Sequence, residues 1–283
     1  MHRVDILIPT CNRPEALAAT LTSLIGQRFT DFRVHVMDQS DGAPAYDHPV
    51  AVAALRVLRS QGRGVEVARN LPRRGMAQQR QALLERATAP QVLFLDDDVI
   101  LEPGTLQRMV EALEVTGCGF IGSAVIGLSY AGDVRPHQQY IEWWHDNVVE
   151  PENVLPGSSS WQRHKRHNAA NIWHVQRALG LEEGKWRLYK LAWVGGCVLF
   201  DRDKLLQCGG FTFWKEAPAE HCGEDVYAQL QVMRRFGGAG IIPSGAFHQE
   251  LPTTLEQRDI DLPHWFNQPS STMASTGVGS EKG

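Results

Sequence analysis

What the chain has little of narrows the field first. Its five cysteines, Cys11, Cys118, Cys197, Cys208 and Cys222, are odd in number, scattered, and form no CxxC pair. Neither a zinc site nor a disulfide framework is suggested, and a reducing compartment is expected. No apolar run approaches the ~20 residues needed to span a bilayer. The first residues run straight into a strand-like segment, so no signal peptide is expected. Neither sign of charge dominates: 28 Lys and Arg stand against 32 Asp and Glu, for a net charge of −4 and a pI near 6.3. No global field then draws the protein to nucleic acid or to an anionic membrane. The expected location is cytoplasmic, with peripheral membrane contact as the most that lipid is asked to provide. No internal repeat is visible.

What is present is ample material for a core. The chain has 283 residues, 43% of them hydrophobic, enough for one large domain or two small ones. Its organising stretch is Val92-Leu93-Phe94-Leu95 followed by Asp96-Asp97-Asp98. Four apolar residues between Pro90 and Pro103 suit a strand of a parallel sheet covered on both faces. Ligands of open α/β sheets sit at the carboxyl ends of strands, so the three carboxylates fall where a ligand would be. Adjacent carboxylates repel one another, and a hard divalent cation relieves that repulsion by taking oxygen ligands. The plainer alternative is a solvated acidic turn.

The pattern around this stretch alternates strand and helix. Val4 to Ile8 reads as a strand ended by Pro9. Pro14 sits at a favoured first helical position, and Leu17, Leu21, Leu24 and Ile25 follow at helical spacing. Phe32 to Met37 reads as a second strand closing on Asp38. Such a βαβ unit implies parallel strands. A short helix around Val50 to Leu55, a strand around Val65 to Val67 and a helix from Met76 to Ala87 are expected next. Arg80 lies on the apolar stripe of that last helix, where a guanidinium needs an anionic partner or must reach the surface. A helix from Pro103 through Glu114 is expected after the acidic strand.

Gly117-Cys118-Gly119-Phe120-Ile121-Gly122 formally matches a dinucleotide fingerprint. The match fails on context, because a helix precedes it and a β-like run, Ala124-Val125-Ile126, follows. A helix stop and a tight turn are expected there. Residues 130–190 change character. They hold Trp143, Trp144, Trp161, Trp173 and Trp186, and a basic patch, Arg163-His164-Lys165-Arg166-His167. Such a segment offers stacking faces and a hold for an anionic group, or forms a small subdomain with its own core. Leu191 to Phe200 reads as a strand with Gly195-Gly196 inside it. Glu224-Asp225 falls in the first turn of a helix carrying Val226, Leu230, Met233 and Phe236, where the helix dipole favours anions. Short strands at Ala239 to Ile242 and Ala246 to Phe247 end beside His248.

Taken in order, these motifs resemble the family 2 glycosyltransferases of the GT-A fold. Ile8-Pro9-Thr10-Cys11-Asn12-Arg13 resembles their opening motif. Val36-Met37-Asp38-Gln39-Ser40 resembles the second-strand motif whose Asp contacts the nucleotide base. Asn70 and Gly75 resemble their Asn-Gly loop, and Arg80 the arginine of the helix that follows it. Asp96-Asp97-Asp98 resembles the DxD motif and Glu224-Asp225 the ED motif. Gly195-Gly196 and Gly209-Gly210-Phe211 resemble the acceptor-side strand and loop. Five motifs in the right order span residues 4–126 and 191–250, while 130–190 has no counterpart.

The resemblance implies an α/β fold with a mostly parallel open sheet flanked by helices. Residues 1–126 would form a Rossmann-like nucleotide-sugar half and 127–190 a Trp-rich insertion on the acceptor side. Residues 191–268 would form the acceptor and catalytic half, and 269–283 a disordered tail. It implies Pro9, Thr10, Asn12, Arg13, Asp38, Arg80, Asp96 and Asp97 as donor-binding residues, and Asp98 with His248 as metal ligands. Asp225 would be the catalytic base, with Glu224 placing the acceptor. The cofactor would be Mn²⁺ or Mg²⁺, and the donor a nucleoside diphosphate sugar, with a UDP-sugar the leading expectation. The acceptor would be a hydroxyl of unassigned class, transfer would invert the anomeric carbon, and no nucleic acid would be involved.

Two other functions compete. A nucleotidyltransferase that makes sugar nucleotides wants a glycine-rich loop after its first strand, and Pro9 to Pro14 contains no glycine. A carbohydrate-binding relative without turnover would keep the same pattern.

Overall fold

The computed structural model describes residues 2–252 and 259–267. The expected tail at 269–283 lies outside them. The chain opens as β1 (Val4–Thr10), α1 (Pro14–Ile25), β2 (Phe32–Asp38), α2 (Pro49–Ser60), β3 (Gly64–Arg69), α3 (Met76–Arg86) and β4 (Gln91–Leu95). Then come β5 (Val99–Leu101), α4 (Thr105–Thr116), β6 (Phe120–Gly122) and β7 (Val125–Ile126). After a stretch of short 3-10 turns follow α5 (Asn171–Leu179), β8 (Arg187–Tyr189), β9 (Cys197–Asp201) and α6 (Arg202–Gln207). The chain continues with α7 (Glu224–Phe236), β10 (Ala239–Ile242), β11 (Ala246–His248) and α8 (Leu262–Phe266).

Eight strands form one sheet in the order β3-β2-β1-β4-β9-β6-β10-β8. Among the described residues, β8 and β9 run against the other six. The sheet is therefore mostly parallel, as expected. A smaller sheet, β5-β11-β7, lies beside the acidic turn.

Why β1 reads as a continuous apolar run is plain from its two faces. Val4, Ile6 and Ile8 pack into one core with Leu17, Leu21 and Leu24 of α1 and Leu55 and Leu58 of α2. Leu7, between them, packs into the other core with Leu83 and Leu84 of α3 and Phe94 of β4. Alternate side chains of a strand point to opposite faces, and helices cover both. The α1 stripe is fully buried, so replacing Leu21 by Ala would cost about 3 kcal/mol. No helix among the described residues is long and apolar enough to cross a membrane.

The expected strand from Leu191 to Phe200 needs correction. Only Cys197–Asp201 is strand, and Gly195-Gly196 forms a turn just before it. Gly196 has φ +78°, a left-handed conformation that a β-strand cannot contain. The helix stop at Gly117 is as expected, with φ +58°. The strand β8, which joins residues 127–190 to the main sheet beside β10, carried no sequence signal.

Candidate active site

The carboxyl ends of β1 and β4 deliver Thr10 and Asp96-Asp97-Asp98 to one side of a cavity of about 570 Å³. The start of α7 delivers Glu224 and Asp225 to the other side. Gly223 precedes them with φ +75°, and its hydrogen faces Asp261; a Cβ there would lie 2.6 Å from the Asp261 carboxylate. Glycine is what lets α7 begin this close to the cavity wall.

The two sides are tied together by Arg80. Its Nε donates to Glu224 Oε1 at 3.0 Å and its Nη2 to Asp96 Oδ1 at 2.9 Å. The inward guanidinium foreseen on α3 therefore meets two carboxylates, which hold it firmly charged. Asp225 lies beside this pair and keeps part of its surface open to the cavity. Burial, reinforced by the Glu224 charge and opposed by Arg80, pushes its carboxyl up to about 7. A carboxylate so poised can accept a proton near neutral pH.

The three aspartates point in different directions. Asp97 is buried and accepts a hydrogen bond from Thr10 Oγ1 at 2.6 Å. Burial raises its carboxyl to about 7; the Thr10 bond opposes the rise and the Asp98 charge adds to it. Asp98 accepts from Arg13 Nη1 at 2.8 Å and has His248 Nε2 at 3.4 Å. Asp96 is the most open of the three, at 36% side-chain exposure, and faces Arg80.

Those oxygens can be tested against a divalent ion. Among the described residues, no three His, Cys, Asp or Glu side chains converge as a metal cage. His248 Nδ1 accepts the Glu250 N–H at 2.7 Å. Its Nε2, 3.4 Å from Asp98, is the ring nitrogen that faces the acidic turn. Asp96 offers hard oxygens on the open part of the wall, and the largely buried Asp98 lines it beside Arg13. That fits an ion completed by substrate phosphates and not one enclosed by protein alone.

Not every expected site residue reaches the cavity. Pro9, Thr10, Arg13, Arg80, Asp96, Asp97, Asp98, Glu224, Asp225 and His248 line it. Asp38 and Asn12 do not. Asp38 is fully buried and accepts from Ser40 N, Ser40 Oγ and Ala45 N, so its carboxylate shapes the loop after β2. Asn12, at φ +56°, exchanges hydrogen bonds with Asp41 across the same loop.

The basic patch also resolves differently from an anion hold. Arg163 pairs with Glu142 and Glu152, and Arg166 with Glu142 and the Lys190 carbonyl. His167 is half-buried, with Nε2 3.0 Å from the Tyr189 hydroxyl. Its two arginines answer acids of the same segment, which no spacing rule reveals. Met76, Trp193, Leu251 and Asp261 also line the cavity. Only Trp193 had a signal within reach, its place just before Gly195-Gly196.

The family model described as Glycosyl transferase family 2 matches residues 5–177, more than half of the chain. Among solved structures, residues 1–349 of S. aureus TarS superpose with a TM-score of 0.55 at 16% identity, covering 88% of this chain and 60% of that one. The same protein in complex with UDP-GlcNAc gives 0.54 at 14% identity, covering 90% and 60%. The mannosyltransferase PcManGT from Pyrobaculum calidifontis, in complex with GDP-Man and Mn²⁺, gives 0.54 at 17% identity, covering 89% and 58%. At such identities the likeness is one of fold, and the chain spans about three fifths of the length of these neighbours. No curated protein sequence matches. The matched span contains β1, β4 and the Asp96–Asp98 turn, and on it the chain belongs to glycosyl transferase family 2, with the GT-A fold.

Proposed function

We propose that the protein is a metal-dependent, inverting glycosyltransferase that moves a sugar from a nucleoside diphosphate sugar to an acceptor hydroxyl. One observation carries this reading. A carboxylate raised to about 7, Asp225, faces an acidic turn across a single cavity, with Arg80 bridging the two sides. That is the layout a direct displacement needs, with proton acceptor and leaving-group hold held in line.

Asp225 takes the proton as the acceptor oxygen forms its bond to the anomeric carbon. The bond from that carbon to the diphosphate oxygen breaks, and the diphosphate leaves with the electron pair. A single displacement inverts the centre. Arg80 holds Glu224 and Asp96 in register, so the proton acceptor and the donor-binding turn keep a fixed spacing. Thr10 holds Asp97, and Arg13 neutralises Asp98 while the donor is away. Asp96 and Asp98 would hold a Mn²⁺ or Mg²⁺ ion, which stabilises the charge growing on the departing diphosphate. Asp38 and Asn12 act by shaping the loop against which base and ribose lie. The leading donor is a UDP-sugar, as in the TarS complex, with a GDP-sugar as in the mannosyltransferase complex the next to try. A cytoplasmic location with peripheral membrane contact belongs to the same proposal.

The test is a melting-temperature screen of UDP, GDP and their sugars with and without Mn²⁺, since binding to the native state raises the melting temperature. It is followed by proton NMR of the product. Stabilisation by a nucleoside diphosphate sugar and an inverted anomeric signal support the proposal. Pyrophosphate release from a nucleoside triphosphate and a sugar phosphate overturns it in favour of nucleotidyl transfer.

A further inference from the structure

Among the described residues, Trp193 is the aromatic side chain of the cavity wall that holds Asp225. Trp193 lines the cavity, and its neighbour in the same turn, Gly195, abuts the proposed base: a Cβ there would sit 3.6 Å from Asp225 Oδ2. The turn is held rigidly. Gln229, fully buried on α7, accepts the Val194 N–H at 3.0 Å and donates to the Val194 carbonyl at 2.7 Å. The same amide donates to the Asp225 carbonyl at 3.1 Å. The Asp96 N–H bonds the Gly196 carbonyl at 2.9 Å. One side chain thus fixes Trp193 and Asp225 relative to each other.

The indole is supported from behind by residues 127–190. The His164 ring lies parallel to it, with centroids 6.0 Å apart and planes 4° apart. Trp161 packs on His164 at 6.1 Å and meets His264 edge-on at 5.8 Å. The Trp193 indole N–H is buried and makes no hydrogen bond within the protein. The N–H is thus closed off from the cavity that Trp193 lines, which leaves the carbon surface of the ring as what it can offer there. An electron-rich face of this kind suits the C–H face of a pyranose ring, with Trp the strongest of the aromatic side chains in buried area.

Charge narrows the ligand further. The cavity is lined by Asp96, Asp97, Asp98, Glu224, Asp225 and Asp261, against Arg13 and Arg80. Both guanidiniums already pair with these carboxylates. Arg163 and Arg166 of the basic patch are taken by Glu142 and Glu152. All four of these guanidiniums are paired, so an anion enters this acidic wall with a cation beside it, as the donor diphosphate would, and an acceptor that brings negative charge alone is repelled.

We infer that Trp193 is the stacking platform for the acceptor, and that the acceptor presents an uncharged sugar ring there, its hydroxyl directed at Asp225. The inference rests on the proposed sugar transfer and adds the acceptor class to it.

The experiment is saturation-transfer NMR on the full chain with Mn²⁺ and UDP or GDP. The probes are methyl glucoside, methyl mannoside and methyl N-acetylglucosaminide, with methyl glucuronide and glycerol phosphate as anionic controls. At least one neutral glycoside is expected to bind, and neither anion. Trp193→Ala is expected to weaken that glycoside about tenfold or more, while Trp193→Phe restores most of the affinity. The nucleotide-induced rise in melting temperature reports folding and the donor site separately. If that rise is absent in the wild-type protein, the donor reading fails. If it is present but the anions bind better, no neutral glycoside binds at millimolar concentration, or Trp193→Ala binds as well as wild type, the platform inference fails alone.

Discussion

Two clusters of charge sit at opposite ends of β1, and they have been settled in opposite ways. At the start of the strand, Asp5 is fully buried. Burial alone would raise its carboxyl, but His35, a two-pronged Arg33 and the Ala89 and Thr88 N–H groups outweigh it and hold it far below the usual range. At the far end, Asp97 and Asp225 are raised to about 7 because their partners are too few for their burial. A fully partnered carboxylate adds stability and has nothing left to do. An under-partnered one costs stability and can change its protonation during a reaction. The contrast separates structural charge from chemical charge within one strand length.

Several changes would break or sharpen that contrast. Asp98→Ala is expected to abolish the manganese-dependent part of donor binding. Calorimetry that finds equal donor affinity with and without Mn²⁺ in the wild-type protein would count against the metal. Asp225→Asn is expected to lower sugar transfer by roughly a hundredfold or more while donor binding survives. Unchanged transfer would remove Asp225 from the role of base. In the wild-type protein, kcat/KM should rise with pH through about 7, because Asp225 must lose its proton to work. A profile flat across neutrality contradicts the assignment.

Asp5→Asn should do the reverse, costing about 3 kcal/mol in urea unfolding with little change in the transfer rate of the folded protein. The sign follows from the lowered carboxyl. Its stabilisation is present above the unfolded value near ~3.9 and is lost as acid takes the pH down through the folded value. The gap between wild type and variant should therefore close on acidification. For Asp97 and Asp225, raised in the folded state, the penalty instead grows as pH climbs from ~4 to about 7. The smallest effect belongs to Thr10→Val. It removes one hydrogen bond, about 1 kcal/mol, and should push Asp97 further up, visible in its carbon-13 carboxyl titration. A carboxyl that titrates at its wild-type position would show that Thr10 is not what restrains it.

Much of this was legible in residue order. The helical spacing of Leu17, Leu21 and Leu24, the Pro14 start and the apolar run ending in Asp96 all specify local structure, and the structure follows them closely. Where reading by pattern failed, a distant partner decided. Gly195-Gly196 lies outside β9 because Gln229, more than thirty positions on, clamps Val194 into a turn. Asp38 stands away from the cavity because the loop it caps folds back on it. The patch at 163–167 carries the spacing of an anion hold, yet Glu142 and Glu152 take up its two arginines. A residue's type and neighbours in sequence say what it can bind. They do not say what already occupies it.

Periodicity and turn chemistry alone determined that this chain alternates strands and helices and that three carboxylates end a covered strand. Those are short-range properties, written within a few residues of one another. Tertiary structure decided which charges remain open, since that depends on groups brought together from far apart. Arg80 meets Glu224 across 144 positions, and Trp193 faces the same cavity as Thr10. Only the packing of one element against another sets how much water and how many partners each carboxylate keeps, and that balance separates a site from a scaffold.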